Sequence, residues 1–354
     1  VVSHATQFTW AQVLTTLLEG TDLTSVQTSW AMDRIMSGEA TPAQLAGFAV
    51  ALRAKGETAQ EISGLAESML SHSLSVTVPG RTVDIVGTGG DRSNTVNIST
   101  MAAIVTAAAG ATVVKHGGRA ASSKCGAADL LEGLGVPIML GPAAVAATVA
   151  EVGIGFCFAQ VFHPSMRFAG PARRELGIPT FFNVLGPLSN PARPAASAIG
   201  CGSGVMAPVI AGVFAGRESD VLVFRGDDGL DELTTTTTSS VWVVAGGTIT
   251  TAVVDPRRFG IPQAAPEDLR GGDVAFNCAV ATRLFEGGAG AVRDAVVLNA
   301  AAAIAAHAGP SGDLDEDLAQ GLVRAGAALE SGAAAGLLAR WIEFGATLAH
   351  QSPS

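Results

Sequence analysis

Residues 82–86, Thr82-Val83-Asp84-Ile85-Val86, form a short run rich in branched side chains that breaks into Gly87-Thr88-Gly89-Gly90-Asp91. An apolar helix-like stretch follows over 99–109, closed by Gly110. A strand that turns on glycines into a helix needs a second strand beside the first, because the helix must pack back over a sheet. The sequence supplies one at 112–114. Pro142 then opens a helix that ends at Gly153, a strand follows at Ile154–Phe158, and another lies at 220–224. Strands alternating with helices predict βαβ units and a mostly parallel central sheet. Residues 241–244 and Thr248–Val254, split by Gly246-Gly247, predict an antiparallel hairpin. The threonine run at 234–238 suits a strand or strand edge, because its residues are β-branched. From Asp273 onward the pattern reads mainly as helix.

Before residue 80 the punctuation differs. Thr9 with Gln12, Thr24 with Gln27, Thr41 with Gln44 and Thr58 with Glu61 each fit a capping box. Pro42 stands at a first helical position, and Gly20, Gly38 and Gly56 stand where helices end. Trp10, Val13, Leu14, Leu17 and Leu18 recur at helical spacing in the first of four short amphipathic helices. The expected organisation is a small helical N-terminal domain over 1–77, whose apolar stripes bury against each other or, as a dimerisation surface, against a second copy of the chain, and a large α/β domain over 78–354. Helices near 165–190 are candidates to join the first.

The 354 residues carry 31 acids against 21 Lys and Arg, a formal net charge of -10. Such a surface repels nucleic-acid phosphates and anionic membranes, so a small-molecule substrate is expected. Cys125, Cys157, Cys201 and Cys278 make no CxxC, which excludes a zinc ribbon and fits reduced thiols in a cytoplasmic protein. No secretory leader is expected from the first residues, and no uncharged apolar run reaches the roughly 20 residues that span a bilayer.

Four segments could carry chemistry. The loop at Gly87 to Asp91 lies where backbone N–H groups and a helix N-terminus can close on a phosphate. It is neither a Walker A, for no Gly-Lys-Ser/Thr follows, nor a dinucleotide fingerprint, for position 92 is Arg92. Asn94, Thr95, Asn97, Ser99 and Thr100 add small hydrogen-bonding side chains at the helix start. Lys115-His116-Gly117-Gly118-Arg119, followed by Ser122 and Ser123, sits after the next strand and would face the same loop, implying an anion between them. Gly226-Asp227-Asp228-Gly229-Leu230-Asp231-Glu232 concentrates carboxylates past another strand, where a cation would neutralise them; oxygen ligands shared with phosphates favour Mg²⁺. The exposed-turn alternative fits Asp227 and Asp228 better than Asp231 and Glu232. Last come His163, Arg167, Arg173 and Arg174; a planar guanidinium suits a carboxylate, although an Arg pair on a helix is more often simply solvated. Cys125 beside Lys124 reads as a spectator thiol.

Together Gly87-Thr88-Gly89-Gly90-Asp91, Asn94 to Thr100, Lys115-His116-Gly117 with Arg119 and Ser123, His163 to Arg167, Phe182 to Pro191 and Gly226 to Thr234 resemble the anthranilate phosphoribosyltransferases, most of all the actinobacterial ones, in order and approximate spacing. The resemblance implies a cytoplasmic homodimer with the fold type of nucleoside phosphorylases and phosphoribosyltransferases. It also implies the reaction, attack of anthranilate on 5-phosphoribosyl diphosphate to release diphosphate in tryptophan biosynthesis. Carried over by motif, Gly87, Gly89, Gly90, Asp91, Thr95, Asn97, Ser99, Thr100, Lys115 and Ser123 would surround the sugar diphosphate. Ser99, Asp231 and Glu232 would hold two Mg²⁺ ions. Arg173 would anchor the anthranilate carboxylate, with Gly87, His116, Gly117, Gly118, His163 and Gly186 along its path.

One position departs from the family pattern: relatives carry asparagine where this chain has Gly118. The missing amide predicts weaker anthranilate binding and greater tolerance of substituted analogues. Arg92 stands where many relatives have glycine. A nucleoside phosphorylase on the same fold is the enzymatic alternative, set apart by needing no metal. A catalytically silent relative that binds nucleic acid or a protein partner is the other, opposed by the net charge and the intact Gly87–Asp91 loop.

Overall fold

A computed structural model describes residues 8–120 and 123–351. Four helices come first, α1 (Trp10–Leu18), α2 (Ser25–Met36), α3 (Pro42–Lys55) and α4 (Ala59–Ser71). All four capping boxes form: each threonine side chain accepts from the backbone three residues on, and each Gln or Glu returns the bond. A box of this kind holds a helix start by about 1 kcal/mol. Gly20, Gly38 and Gly56 take φ of 72°, 74° and 94° at the helix ends, where a side chain would be strained. Glu61 has a second task. Fully buried, it accepts from Leu23 N at 2.9 Å and pairs with Lys55 at 2.9 Å, tying α4 to the loop before α2.

The α/β part runs β1 (Val83–Gly87), α5 (Ile98–Ala108), β2 (Val113–Gly117), α6 (Ala127–Gly133), α7 (Pro142–Val152), β3 (Ile154–Phe158), α8 (Ala159–Phe162), α9 (Gly170–Leu176), α10 (Phe182–Leu188) and β4 (Ala196–Gly200). It continues with α11 (Met206–Gly216), β5 (Asp220–Gly226), β6 (Ser239–Ala245), β7 (Thr248–Val254), α12 (Val274–Phe285), α13 (Ala291–Ala308), α14 (Leu314–Glu330) and α15 (Ala333–Gln351). The seven strands lie in the order β3-β2-β1-β4-β5-β6-β7. The first five are parallel, and β6 and β7 are antiparallel. Gly246 and Gly247, both at positive φ, close the β6–β7 hairpin as its dipeptide predicts.

One sheet face is covered by α5, α13 and their neighbours, with Trp341 of α15 buried among them. The other carries α11, and the same core continues through Phe181, Phe182 and Leu185 into Phe48, Leu65 and Ile62 of the helical module. Residues of α9 and α10 thus share a core with α1–α4. Helix α13 is long and apolar enough to cross a membrane, but two-thirds of it is buried and it packs on α5, α14 and the sheet as a core helix.

Three expectations change. The threonine run at 234–238 is not a strand: its hydroxyls turn inward to carboxylates, Thr234 and Thr236 to Asp228 and Thr238 to Asp227, and pairing begins only at Ser239. Strand β2 extends to Gly117, so Lys115 and His116 lie inside the sheet. Strand β4 falls in the middle of the sheet at a segment not read as a strand.

Candidate functional site

The chain makes β1, β2 and β3 to one side, then crosses to place β4 against the other side of β1. A crevice opens at the carboxyl ends where the direction of addition reverses, the usual ligand position in an open parallel sheet. Gly87 and Gly200 are register partners at that point. Both must be glycine, for a Cβ at Gly87 would overlap the Asp231 carboxylate and one at Gly200 the Asp231 carbonyl. The acidic loop after β5 is therefore laid directly over the β1 and β4 ends.

Beyond Gly87 the loop turns with Gly89 and Gly90 at φ of 70° and 82°, with open space where side chains would stand. Gly89 N–H donates to Asp231 Oδ2 at 2.6 Å. Ser99 N–H, in the first turn of α5, donates to Glu232 Oε1 at 3.1 Å. Asp91 Oδ1 accepts from Ser93 N–H, while its Oδ2 is buried without a partner among the described residues. Arg92 and Asn94 follow at φ of 62° and 51°, so Arg92 holds a conformation that glycine takes at lower cost. Thr95 bridges to Arg270, and Thr100 is buried in the first turn of α5.

Burial holds the Asp231 carboxyl well above its ordinary range, and the neighbouring charges of Glu232 and Asp91 add to this. Burial likewise pushes Glu232 up to about 7, against the opposing pull of Lys115. Two neighbouring buried carboxyls ionise readily only where a positive charge joins them. Among the described residues no three His, Cys, Asp or Glu side chains converge as a protein cage for a metal. One or two carboxylates beside an open phosphate cradle fit Mg²⁺, which keeps water and substrate oxygens as its other ligands. Asp227 and Asp228 are not part of this: the threonine hydroxyls and Ser240 satisfy them.

The basic cluster divides. Lys115 is buried and donates to Ile85 O at 2.5 Å; burial lowers its pKa, while Asp84 and Glu232 hold it up. Arg119 instead points outward into an exposed fork with Asp129 and Glu132, so it is no anion ligand here. His116 donates from Nδ1 to Gly186 O at 3.0 Å, and His163 from Nε2 to Ser189 O at 2.9 Å. Burial above all pushes His116 down to about 3 and His163 to about 4, so both rings are neutral. Among the described residues their other nitrogens, Nε2 of His116 and Nδ1 of His163, are buried lone pairs without partners, and the two rings lie 5.0 Å apart.

Arg173, in α9, has its guanidinium 4.7 Å over the ring of Phe182 in α10, the helix that also presents Gly186. Among the described residues no carboxylate pairs with it, and burial lowers its pKa. Gly118 and Gly117 continue past His116. A Cβ at Gly118 would meet only Ala159, at an ordinary 3.9 Å, and its backbone carries no positive φ. Ser123 donates to Cys125 O at 3.3 Å, and Ser122 lies outside the described residues. A cavity of about 360 Å³ opens between Arg92, Asn94, Thr95, Ser123, Lys124 and Arg270. A larger one, about 420 Å³ beside Arg81, Arg193 and Arg217, contains none of these groups. The Cys125 thiol, raised by burial to about 11, is inert.

Three supporting residues escaped the sequence reading. Asp84 accepts from His116 N–H at 3.1 Å and from Asn190 at 2.8 Å, and Asn190 also bonds Val114 O at 2.8 Å. Asn277 donates to Asn97 Oδ1 at 2.9 Å while Asn97 donates to Cys125 O at 2.9 Å, so the Asn97 carboxamide is held from both ends. A lone aspartate within an apolar strand was the available signal for Asp84; the asparagines gave none beyond their type.

Comparison with known proteins gives a consistent picture. A family model described as "Glycosyl transferase family, a/b domain" matches residues 79–335, and "Glycosyl transferase family, helical bundle domain" matches 11–73. An anthranilate phosphoribosyltransferase of Thermobifida fusca is 59% identical over 97% of this chain and 99% of its own. One from Rhodococcus jostii is 61% identical, covering 96% and 94%. Among solved structures, the Thermus thermophilus enzyme of that name superposes with TM-score 0.88 at 39% identity, over 94% of this chain and 99% of its own. The Saccharomyces cerevisiae enzyme, solved with PRPP and Mg, does so with TM-score 0.87 at 28% identity, over 98% and 99%.

Proposed function

This chain belongs to the anthranilate phosphoribosyltransferases, and from that membership we propose how its residues divide the reaction. The enzyme transfers the phosphoribosyl group of 5-phosphoribosyl diphosphate to the amine of anthranilate, releasing diphosphate, in tryptophan biosynthesis. It uses Mg²⁺.

The observation that carries the assignment of residues is the fixed pair Asp231 and Glu232, held against the open Gly89-Gly90 turn at the sheet crevice. Ser99, Asp231 and Glu232 would hold magnesium, with room in this reading for two ions. When bound, the metal stabilises negative charge growing on the diphosphate. The Gly87–Asp91 loop, Thr95, Asn97, Thr100 and Ser123 enclose the donor, and Lys115 supplies a buried positive charge beside it. The Arg173 guanidinium receives the anthranilate carboxylate, and Phe182 supports it from below.

Arylamines are neutral near pH 7, so no base is needed before attack. The nitrogen lone pair forms the bond to C1 as the C1–O bond breaks and its electrons leave with the diphosphate. The strongly acidic arylammonium nitrogen then loses its proton to water. The carbonyls of Gly186 and Ser189 fix the tautomers of His116 and His163, which stand as neutral rings along the acceptor's path in this reading. Two copies meet through the helical domain, where Leu18 and Val26 are exposed, and the dimer works in the cytoplasm.

Anthranilate fluorescence, followed after mixing enzyme, 5-phosphoribosyl diphosphate and Mg²⁺, should decay and should persist when EDTA is in excess. No decay in any condition would overturn the function; undiminished decay in EDTA would overturn the metal's part alone.

A further inference from the structure

Asp231 and Glu232 stand on a stretch that belongs to no helix or strand. Two neighbouring carboxylates repel, and only a fixed backbone keeps them converged before a cation arrives. The Asp231 carbonyl rests on Gly200 on one side. On the other, Leu233 is buried, and Asn299 grips it twice: Leu233 N–H donates to Asn299 Oδ1 at 2.9 Å, and Asn299 Nδ2 donates to Leu233 O at 2.9 Å. The same Nδ2 reaches Ala295 O in its own helix at 2.9 Å. Asn299 is fully buried in the middle of α13, flanked on both sides by apolar residues. A carboxamide there is harder to bury than an apolar side chain unless its partners need it.

We infer that Asn299 is a positioning residue of the metal site, clamping the backbone from which Asp231 and Glu232 project. The inference rests on the reading of those two acids as metal ligands given above.

Asn299→Leu keeps the bulk and removes both bonds to Leu233. The half-saturating Mg²⁺ concentration should rise about tenfold, as loss of two ordinary hydrogen bonds allows. Calorimetric titration of 5-phosphoribosyl diphosphate at fixed Mg²⁺ should weaken in parallel, with the KM for anthranilate unchanged. Val297→Ala, on the same helix, should lower Tm without moving the Mg²⁺ dependence. Should Asn299→Leu not fold, Asn299→Ala, which removes both bonds to Leu233 without adding bulk, should shift Mg²⁺ dependence in the same direction. A folded Asn299 variant of either kind with wild-type Mg²⁺ dependence overturns the inference. Asp231→Asn, measured in parallel, separates the two ideas: if it too keeps wild-type Mg²⁺ dependence, the ligand assignment is what fails.

Discussion

The donor and acceptor walls of the crevice are made differently. On the donor side, strand ends and backbone hold every acid: Asp231 by Gly89 N–H, Glu232 by Ser99 N–H, and the Asp231 carbonyl against Gly200. Asn97 too is tied at both ends. On the acceptor side, Arg173 comes from the short helix α9, His163 from the turn after α8, and His116 and Gly118 from the end of β2 and the residue just past it. Among the described residues Arg173 has an aromatic ring beneath it and no paired carboxylate, His116 and His163 each keep a ring nitrogen without a partner, and Gly118 leaves a space. A wall that must bind a metal and a highly charged leaving group is organised in advance, since electrostatic stabilisation works only if its dipoles do not have to reorganise. A wall that receives a flat, singly charged aromatic can wait for its ligand to complete it.

Three substitutions would break or sharpen this contrast. The largest effect is expected at Gly87→Ala. The new Cβ displaces the Asp231 carboxylate, and a misplacement on the order of 1 Å should lower kcat/KM by about 10²-fold, with 5-phosphoribosyl diphosphate binding weakened in direct titration at fixed Mg²⁺. Arg173→Ala should do the reverse. Losing charge-assisted hydrogen bonds should raise the KM for anthranilate by about 10- to 100-fold, while calorimetry shows 5-phosphoribosyl diphosphate binding as before. An unaffected KM would remove Arg173 from the acceptor wall. The smallest effect belongs to Gly118→Asn. The open space and ordinary backbone accept the side chain, and the added amide should lower the KM for anthranilate by at most roughly tenfold. It should also narrow the range of ring-substituted anthranilates turned over. Equal rates across an analogue series for both proteins would show that Gly118 has no part in selectivity.

The same contrast sets how much was legible in the sequence. Helix starts and glycine turns are local chemistry, so the four threonine boxes, the Gly246-Gly247 hairpin and the Gly87–Asp91 loop could be read directly. Strand β4 could not. Ala-Ser-Ala-Ile-Gly has one branched residue, and it pairs because β1 and β5 enclose it and small residues let helices approach its faces. The threonine run misled for the opposite reason. Its β-branched propensity lost to hydroxyl bonds with Asp227 and Asp228, a preference that depends on where the acidic loop folds. The Lys115–Arg119 cluster looked like one anion site. Pleating of β2 and the proximity of Asp129 and Glu132 send its charges to different places, and burial strips His116 of its charge. Asp84, Asn190 and Asn277 stayed hidden because their partners lie far away in sequence.

That distance matters for how the protein comes into being. Gly89 and Asp231, which meet at 2.6 Å, are separated by 142 positions, and β1 gains its neighbour β4 only after the chain has completed β2 and β3 on the other flank. During synthesis the first three strands can pair with one another while an edge of β1 stays open. Contacts between remote segments close slowly, and an uncovered parallel strand is exposed to wrong partners while it waits. The catalytic crevice is therefore the seam at which two sequentially separate halves of the sheet are joined. A nascent chain that ends before β4 can have a phosphate loop but no place for the acids, so competence arrives all at once and late.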